Sequence, residues 1–280
     1  MNTQPADYEF ELSDAEFKRL RDLVHARTGI ALSEAKRELL YGRLARRLRK
    51  LNLGSFAEYC QLLERDESAE LQELTNAITT NLTSFFREDY HFKQLSLEAL
   101  PQIQAVRSGK RRIRLWSAGC STGEEPYSLA IVMRERLAQL ASWDIKLLAT
   151  DIDSKVLATA TEGVYAADRF KGVAPARVES WFREVPGRPG FLAAADELKK
   201  LISFKQLNLL DPWPMKGPFD VIFCRNVVIY FDKATQRGLF DRMADLQEPG
   251  AWLFIGHSEN LLNVTRRYKL VGRTVYRRVE

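Results

Sequence analysis

Apolar positions in the first third of the chain recur every three to four residues, the period of a helix that buries one stripe. Phe17, Leu20, Leu23 and Val24 make the first stripe. It follows Ser13-Asp14-Ala15-Glu16, which has the form of a capping box, Ser at the N-cap and Glu three positions on. Gly29 ends that helix. A second helix is expected over about 33–51. At about 100° per residue, Leu40, Leu44, Leu48 and Leu51 fall within about 80° of one another, and Arg43, Arg46, Arg47 and Lys50 within about 100° on the neighbouring side. Further helices are expected near 55–65 and 69–79.

The period fails at Thr79-Thr80-Asn81-Leu82-Thr83-Ser84-Phe85-Phe86-Arg87-Glu88. Hydroxyl and amide side chains compete for backbone hydrogen bonds and favour caps and turns. The stretch reads as a polar turn that projects side chains, with another helix after it to about 105. Residues 102–112 then lead into a strand.

From there the pattern is one of short buried runs alternating with helices. Ile113, Leu115 and Trp116 mark a strand, 127–140 a helix, and 145–150 a second strand ending at Asp151-Ile152-Asp153. Over 164–204 the rhythm breaks. A short helix at 175–182 and the turn signal at 185–190 predict an inserted, hairpin-like subdomain. Strands resume at 201–206, ending in Asn208-Leu209, then at 219–224 and 251–255. A pair of edge strands is expected around Gly272-Arg273. Strands alternating with helices predict an α/β fold, a doubly wound and mostly parallel sheet. The expected organisation is a helical domain over 1–92, a linker helix over 93–112 and a sheet domain over 113–280 that contains a small β subdomain at 165–204.

Composition narrows this only slightly. The chain has 280 residues, 45% of them hydrophobic, enough for one large core and a smaller domain. No run of about 18 apolar residues occurs, so no membrane span is expected. The acidic N-terminus lacks the basic region of a secretory signal. Cys60, Cys120 and Cys224 are odd in number and far apart, which suggests neither a disulfide framework nor a metal site and fits a reducing cytoplasm. His25, His91 and His257 are isolated and read as surface or packing residues. The net charge of +5 permits an acidic partner. Over 36–50 seven basic residues face one acid, a binding face or simply a solvated one.

The chemistry centres on Ala118-Gly119-Cys120-Ser121-Thr122-Gly123, a turn of small residues between strand and helix. Thr122 is expected as the N-cap, and Pro126 is tolerated in a first turn. Such a turn lets a ligand approach the backbone beside free helix-start amides. Its spacing is G-x-x-x-G, where a dinucleotide fingerprint needs G-x-G-x-x-G, and no Gly-Lys-Ser/Thr follows. Glu124 and Glu125 would repel a phosphate. The acidic turn suits a cationic, phosphate-free nucleoside, and S-adenosylmethionine fits. Taken alone, the stretch is also an ordinary strand-to-helix turn. Asp151 stands where a nucleotide-binding sheet grips a ribose diol. It is alternatively an N-cap, though Asp153 and Ser154 are better placed for that.

With these residues in view, the chain resembles the bacterial chemotaxis receptor methyltransferases, the CheR family, over nearly its whole length. The motifs are TTNLTSFFRE (79–88), SAGCSTGEEPYS (117–128), ATDID (149–153), FDVIFCRNVVIYFD (219–232) and GHSEN (256–260). The resemblance implies an N-terminal helical domain, a class I methyltransferase sheet and a small inserted antiparallel subdomain. It also implies methyl transfer from S-adenosylmethionine, leaving S-adenosylhomocysteine, to glutamates in the cytoplasmic helices of chemoreceptors. By the same resemblance Asn81, Thr83 and Arg87 line the cofactor site from the helical side. Glu125, with Glu124 as a further candidate, and Asp151 hold the cofactor from the sheet. Asn208, Leu209, Arg225 and Asn226 surround the adenosine, and Arg87 and Tyr230 lie nearest the methyl. The helix with Arg43, Arg46, Arg47 and Lys50 meets the acidic receptor helix. The loop VPGRPGFLAAADEL does not repeat the basic, β-branched strand of tail-peptide-binding members.

A glutamate with an ordinary pKa of about 4.3 is already a nucleophile at neutral pH, so no base has to take its proton. Arg87 is then expected to position the acceptor, and Tyr230 to face the sulfonium. A nucleic-acid methyltransferase is the competing reading. It lacks the Asp/Asn-Pro-Pro-Tyr/Phe of amino-methylating members, since Arg225-Asn226-Val227-Val228 stand there. Cys224 follows Phe223 where cytosine-C5 members have Pro, and reads as a buried structural thiol. No nucleic-acid partner, no membrane insertion, no metal and a monomer are expected.

Overall fold

A computed structural model describes residues 9–65, 69–137 and 142–279. The first eight residues of the acidic N-terminus and the expected helical positions 138–140 lie outside the described residues. Two compact units separate between Thr80 and Asn81, where the sequence pattern had carried the helical domain to 92.

The first unit is helical: α1 (Asp14–Thr28), α2 (Arg37–Leu51), α3 (Phe56–Arg65) and α4 (Ala69–Ile78), with a 3-10 turn at Glu34–Lys36 before α2. The capping box at Ser13 and Glu16 forms in both directions, and Gly29 ends α1 in the left-handed region at φ 73°. Phe17, Leu20, Leu40, Leu44, Leu48 and Phe56 are buried together. Removing each such side chain from water contributes roughly 1.5–3 kcal/mol.

The cations of α2 divide into two kinds. Arg47 pairs with buried Glu70 and lies 2.9 Å from Glu73. Arg43 donates to the Ile78 carbonyl, to the Thr79 carbonyl at 3.0 Å and to Thr80 Oγ1 at 3.0 Å. These two side chains fasten α2 along α4, Arg47 to its first half and Arg43 to its end. Arg46 and Lys50 are exposed.

In the second unit a helical run, α5 (Tyr90–Gln94), a π turn (Leu95–Ala99) and α6 (Leu100–Arg107), leads into the sheet. The elements then follow as β1 (Arg112–Ala118), α7 (Glu124–Leu137), β2 (Asp144–Asp151), α8 (Ser154–Glu162), β3 (Val164–Ala166), α9 (Pro175–Trp181), β4 (Phe182–Glu184), β5 (Phe191–Ala194), α10 (Asp196–Lys199), β6 (Ile202–Gln206), β7 (Val221–Cys224), α11 (Lys233–Asp245), β8 (Trp252–Ile255), β9 (Tyr268–Gly272) and β10 (Val275–Arg278). The main sheet runs β6-β2-β1-β7-β8-β10-β9, and the insert is a three-stranded sheet, β3-β5-β4. β6, β2, β1, β7 and β8 are parallel; β10 runs antiparallel to both of its neighbours, β8 and β9, and the insert strands pair antiparallel. This is the class I methyltransferase architecture that the resemblance implied.

β7 and β8 are buried at every position, as in a sheet covered on both faces. One face packs Leu115, Leu147, Phe223 and Phe254, the other Trp116, Ile222 and Leu253. From β1 the chain steps outward through β2 to β6, then returns to pair β7 on the other side of β1. That reversal opens a crevice at the carboxyl ends of the strands, the usual ligand position in such sheets. Ala118, Asp151, Gln206 and Cys224 end the four strands around it.

Candidate active site

The glycine turn leaves β1 with Gly119 at φ 83°, and Gly123 at φ 98° directly precedes α7. A Cβ on Gly119 would lie 2.3 Å from Val227 Cγ2, and one on Gly123 2.7 Å from the Tyr165 hydroxyl. The glycines therefore make room for protein neighbours. Thr122 is not the N-cap either: α7 starts at Glu124, and the Gly123 carbonyl accepts its first helical bond, from the Tyr127 amide at 3.0 Å. The Gly119 and Cys120 amides both donate to the Thr150 carbonyl, at 2.8 and 2.9 Å, which ties the turn to β2.

Asp151 is buried at the end of β2. Its Oδ2 accepts the Ser121 amide at 2.8 Å and its Oδ1 the Asp153 amide at 2.9 Å. Burial pushes its carboxyl up to about 6, against those two backbone bonds. A carboxylate oxygen has room for about two hydrogen bonds. Backbone amides thus hold both oxygens of this carboxylate, the kind of acceptor that a ribose diol needs. The helix-capping alternative goes to Asp153, which accepts the Lys155 and Val156 amides. Asp153 also accepts Asn81 Nδ2 at 2.7 Å, and Ser121 Oγ donates to the Asn81 carbonyl at 3.0 Å.

The two glutamates of α7 part company. Glu124 is fully buried and paired with Arg169, so its carboxylate is spent within the protein and the sequence suggestion of a cofactor role is set aside. Glu125 accepts the Ser117 hydroxyl at 2.7 Å and Arg225 Nη1 at 3.1 Å. Burial pushes its carboxyl up, opposed by Arg225 and Ser117. Arg225 is buried too, with Nη2 on the Arg87 carbonyl and 3.4 Å from Glu88 Oε2. Glu88 further receives His257 Nδ1 at 2.9 Å. Burial works to raise Glu88, but Arg225 and His257 prevail and hold it at about 2.

The segment from Asn81 to Arg87 is neither helix nor strand. Phe85 stacks on Phe170 at 4.7 Å, and the Phe86 amide donates to Ser128 Oγ at 2.9 Å. These buried rings turn Arg87 outward, 30% exposed, with Nη1 on the Leu82 carbonyl at 2.8 Å. Thr83 contributes its carbonyl to Arg169 at 3.1 Å.

Past β7, Asn226 sits in the left-handed region at φ 59°, and Val228–Tyr230 form one 3-10 turn. Buried Glu259 holds this loop: its carboxylate accepts the amides of Gly256 at 2.5 Å, Asn226 at 3.0 Å and Val228 at 3.0 Å. Past β6, Asn208 Oδ1 accepts the Leu210 amide at 3.1 Å and Leu209 is buried. Arg242 donates to the Leu209 carbonyl at 3.1 Å and lies 4.0 Å over the Trp213 ring.

All the proposed cofactor and catalytic positions thus lie in the second unit. Direct bonds link Asn81 to Asp153, Ser121 to Asp151, and Glu125 through Arg225 to the Arg87 backbone. Sequence reasoning gave no role to Glu88, Glu259, Arg169 or Arg242. The first two stand inside the quoted motifs TTNLTSFFRE and GHSEN; nothing in the sequence marks the other two. Among the described residues no His, Cys, Asp and Glu group is arranged for a metal. The thiols of Cys120 and Cys224 are buried and pushed up by that burial. His91 is buried, with Nε2 3.0 Å from Thr274 Oγ1, and burial and Arg225 hold its ring at about 4.

Comparison with known proteins agrees along nearly the whole length. Residues 81–277 match the family described as CheR methyltransferase, SAM binding domain, and residues 15–79 match CheR methyltransferase, all-alpha domain. The chain is 45% identical to chemotaxis protein methyltransferase 2 of Pseudomonas aeruginosa, over 96% of this chain and 94% of that protein. It is 44% identical to the chemotaxis protein methyltransferases of Salmonella typhimurium, over 95% of this chain and 90% of that protein, and of Escherichia coli, over 95% and 91%.

Proposed function

The chain belongs to the CheR methyltransferase family, and on that premise we propose that it moves the methyl group of S-adenosylmethionine onto glutamate side chains in the cytoplasmic helices of chemoreceptors, forming methyl esters. It is an S-adenosylmethionine-dependent methyltransferase of chemotaxis. The glutamate acceptor is the finer reading, and one observation carries it. The His91 ring and the Cys120 and Cys224 thiols are buried and so withheld from proton transfer. An acceptor that is already an anion at neutral pH needs none of them.

The residues at the crevice suit the cofactor. The Asp151 carboxylate would accept from the ribose diol. The Glu125 carboxylate would face the cofactor's positive α-ammonium group. Asn208, Leu209, Arg225 and Asn226 would border the adenosine, with Asn81 and Thr83 across from them. The bound cofactor supplies an electrophilic methyl on a sulfonium and departs as S-adenosylhomocysteine. Arg87 would orient the incoming carboxylate, and the Tyr230 ring would face the sulfonium, a contact of roughly 0.5–2 kcal/mol. Positioning for an in-line approach is then the main task.

Arg46 and Lys50, exposed on α2, form the part of that four-cation face open to an acidic receptor helix. Arg43 and Arg47 would act there chiefly by holding α2 in place. The protein would work as a monomer in the cytoplasm. No helix among the described residues is long and apolar enough to cross a membrane.

Methyl esters are cleaved by dilute alkali, whereas N-linked and C-linked methyl groups survive it. Transfer of labelled methyl to receptor-containing membranes should therefore yield label that dilute base releases as methanol. Label that stays on protein after base, or appears only on added nucleic acid, overturns the reading.

A further inference from the structure

Segment 81–87 carries three of the proposed site residues but has no helix or strand to hold its shape. Its ends are pinned by side chains of the main sheet unit: Asn81 by Asp153 and Ser121, and the Arg87 carbonyl by Arg225. The middle is held by the insert. Phe85 lies among Tyr165, Phe170 and Phe182, with ring centroids 5.1, 4.7 and 5.3 Å away. Two residues upstream, Arg169 donates through Nη2 to the Thr83 carbonyl at 3.1 Å, and through Nε at 3.1 Å to Glu124 Oε1.

We propose that Arg169 is a positioning residue for methyl transfer, a latch through which the insert fixes the backbone that presents Arg87. The inference rests on the role proposed above for Arg87. Three features carry it. The aromatic cage fixes the Phe85 ring but leaves the Thr83 carbonyl to be oriented by a donor. The planar guanidinium can serve a carboxylate and a carbonyl at once, which a lysine ammonium of similar charge does with far less directional control. The carboxylate it grips, Glu124, is 0% exposed at the start of α7, so the latch is seated on the same turn that carries Ser121. Arg169 itself is 40% exposed and stands on the rim, away from the core.

The test compares Arg169→Lys with the double variant Arg169→Gln, Glu124→Gln in the full chain. The Lys variant keeps a cation beside Glu124; the double variant removes the buried charge and its partner together. Melting temperature and S-adenosylhomocysteine affinity should stay close to wild type in both. Turnover, read as base-released methyl, should fall about tenfold or more, as for a slightly misplaced positioning group. Amide hydrogen exchange over 82–87 should speed up in both. If Arg169 serves only to neutralise Glu124, turnover and exchange stay at wild-type values in both variants, and the proposal is overturned. Faster exchange with wild-type turnover overturns the catalytic role as well. Should the wild-type chain itself transfer no base-labile methyl, the function reading fails, and exchange alone then decides whether the latch exists.

Discussion

The Ser121 amide donates to Asp151 Oδ2 at 2.8 Å, so the buried carboxylate at the end of β2 is bonded directly to the glycine turn that leaves β1. Burial nevertheless raises its carboxyl to about 6. If the carboxylate form grips the ribose, affinity for S-adenosylhomocysteine should be level above pH 7. It should fall as pH drops below about 6, by up to about tenfold per unit once Asp151 holds a proton. Asp151→Asn should flatten that dependence and weaken binding by about 1–3 kcal/mol. Calorimetric titration from pH 5 to 8 reads both. The stability consequence has the opposite sign. A carboxyl raised on folding stabilises the protein at low pH and loses that contribution as pH rises through its folded value.

Arg87 makes one hydrogen bond to a nearby carbonyl and keeps its guanidinium partly exposed. Arg87→Ala should therefore cost less than about 1 kcal/mol of stability, as exposed substitutions do. Turnover should drop about tenfold to a hundredfold through lost positioning. Steady-state kinetics beside a thermal melt separates the two; near wild-type turnover would remove Arg87 from the site.

The basic face of α2 divides into testable halves. Arg47→Ala strands Glu70 as a buried, unpaired charge and should cost about 3–5 kcal/mol. Arg46→Glu with Lys50→Glu changes only exposed positions. It should leave melting and cofactor affinity alone while weakening association with receptor membranes. Salt should weaken the wild-type association as well. Binding that ignores both reversal and salt would make this face merely solvated.

Glu259 accepts three backbone amides around Asn226 and Val228. Glu259→Ala leaves those donors buried without an acceptor, at about 1–3 kcal/mol. The loop holding Asn226 in the left-handed region should relax, and S-adenosylhomocysteine should bind more weakly. Melting and calorimetry on the one variant check both; unchanged affinity would limit Glu259 to a structural role.

Much of this protein follows from local patterns. The capping box at Ser13, the Gly29 stop, the alternation of buried strands with helices and the interruption at 164–204 are decided by neighbours in sequence. Such rules act through caps, turn conformations and periodic burial. Asp151 stands out for the same reason, as an acid ending an apolar strand. What only the tertiary structure decided concerns partners far apart in the chain. Glu124 and Glu125 are adjacent and chemically alike, yet successive residues of a helix point about 100° apart. One is thereby consumed by Arg169 and the other paired with Arg225. Arg43, Arg46, Arg47 and Lys50 likewise share one helix face by spacing alone. Packing of α4 alongside decides that Arg47 meets Glu70 and Arg43 the end of α4, while Arg46 and Lys50 stay in water. A charge costs little when solvated and much when buried unpaired, so its role is set by which neighbour folding brings beside it, and the pattern along the chain does not hold that information.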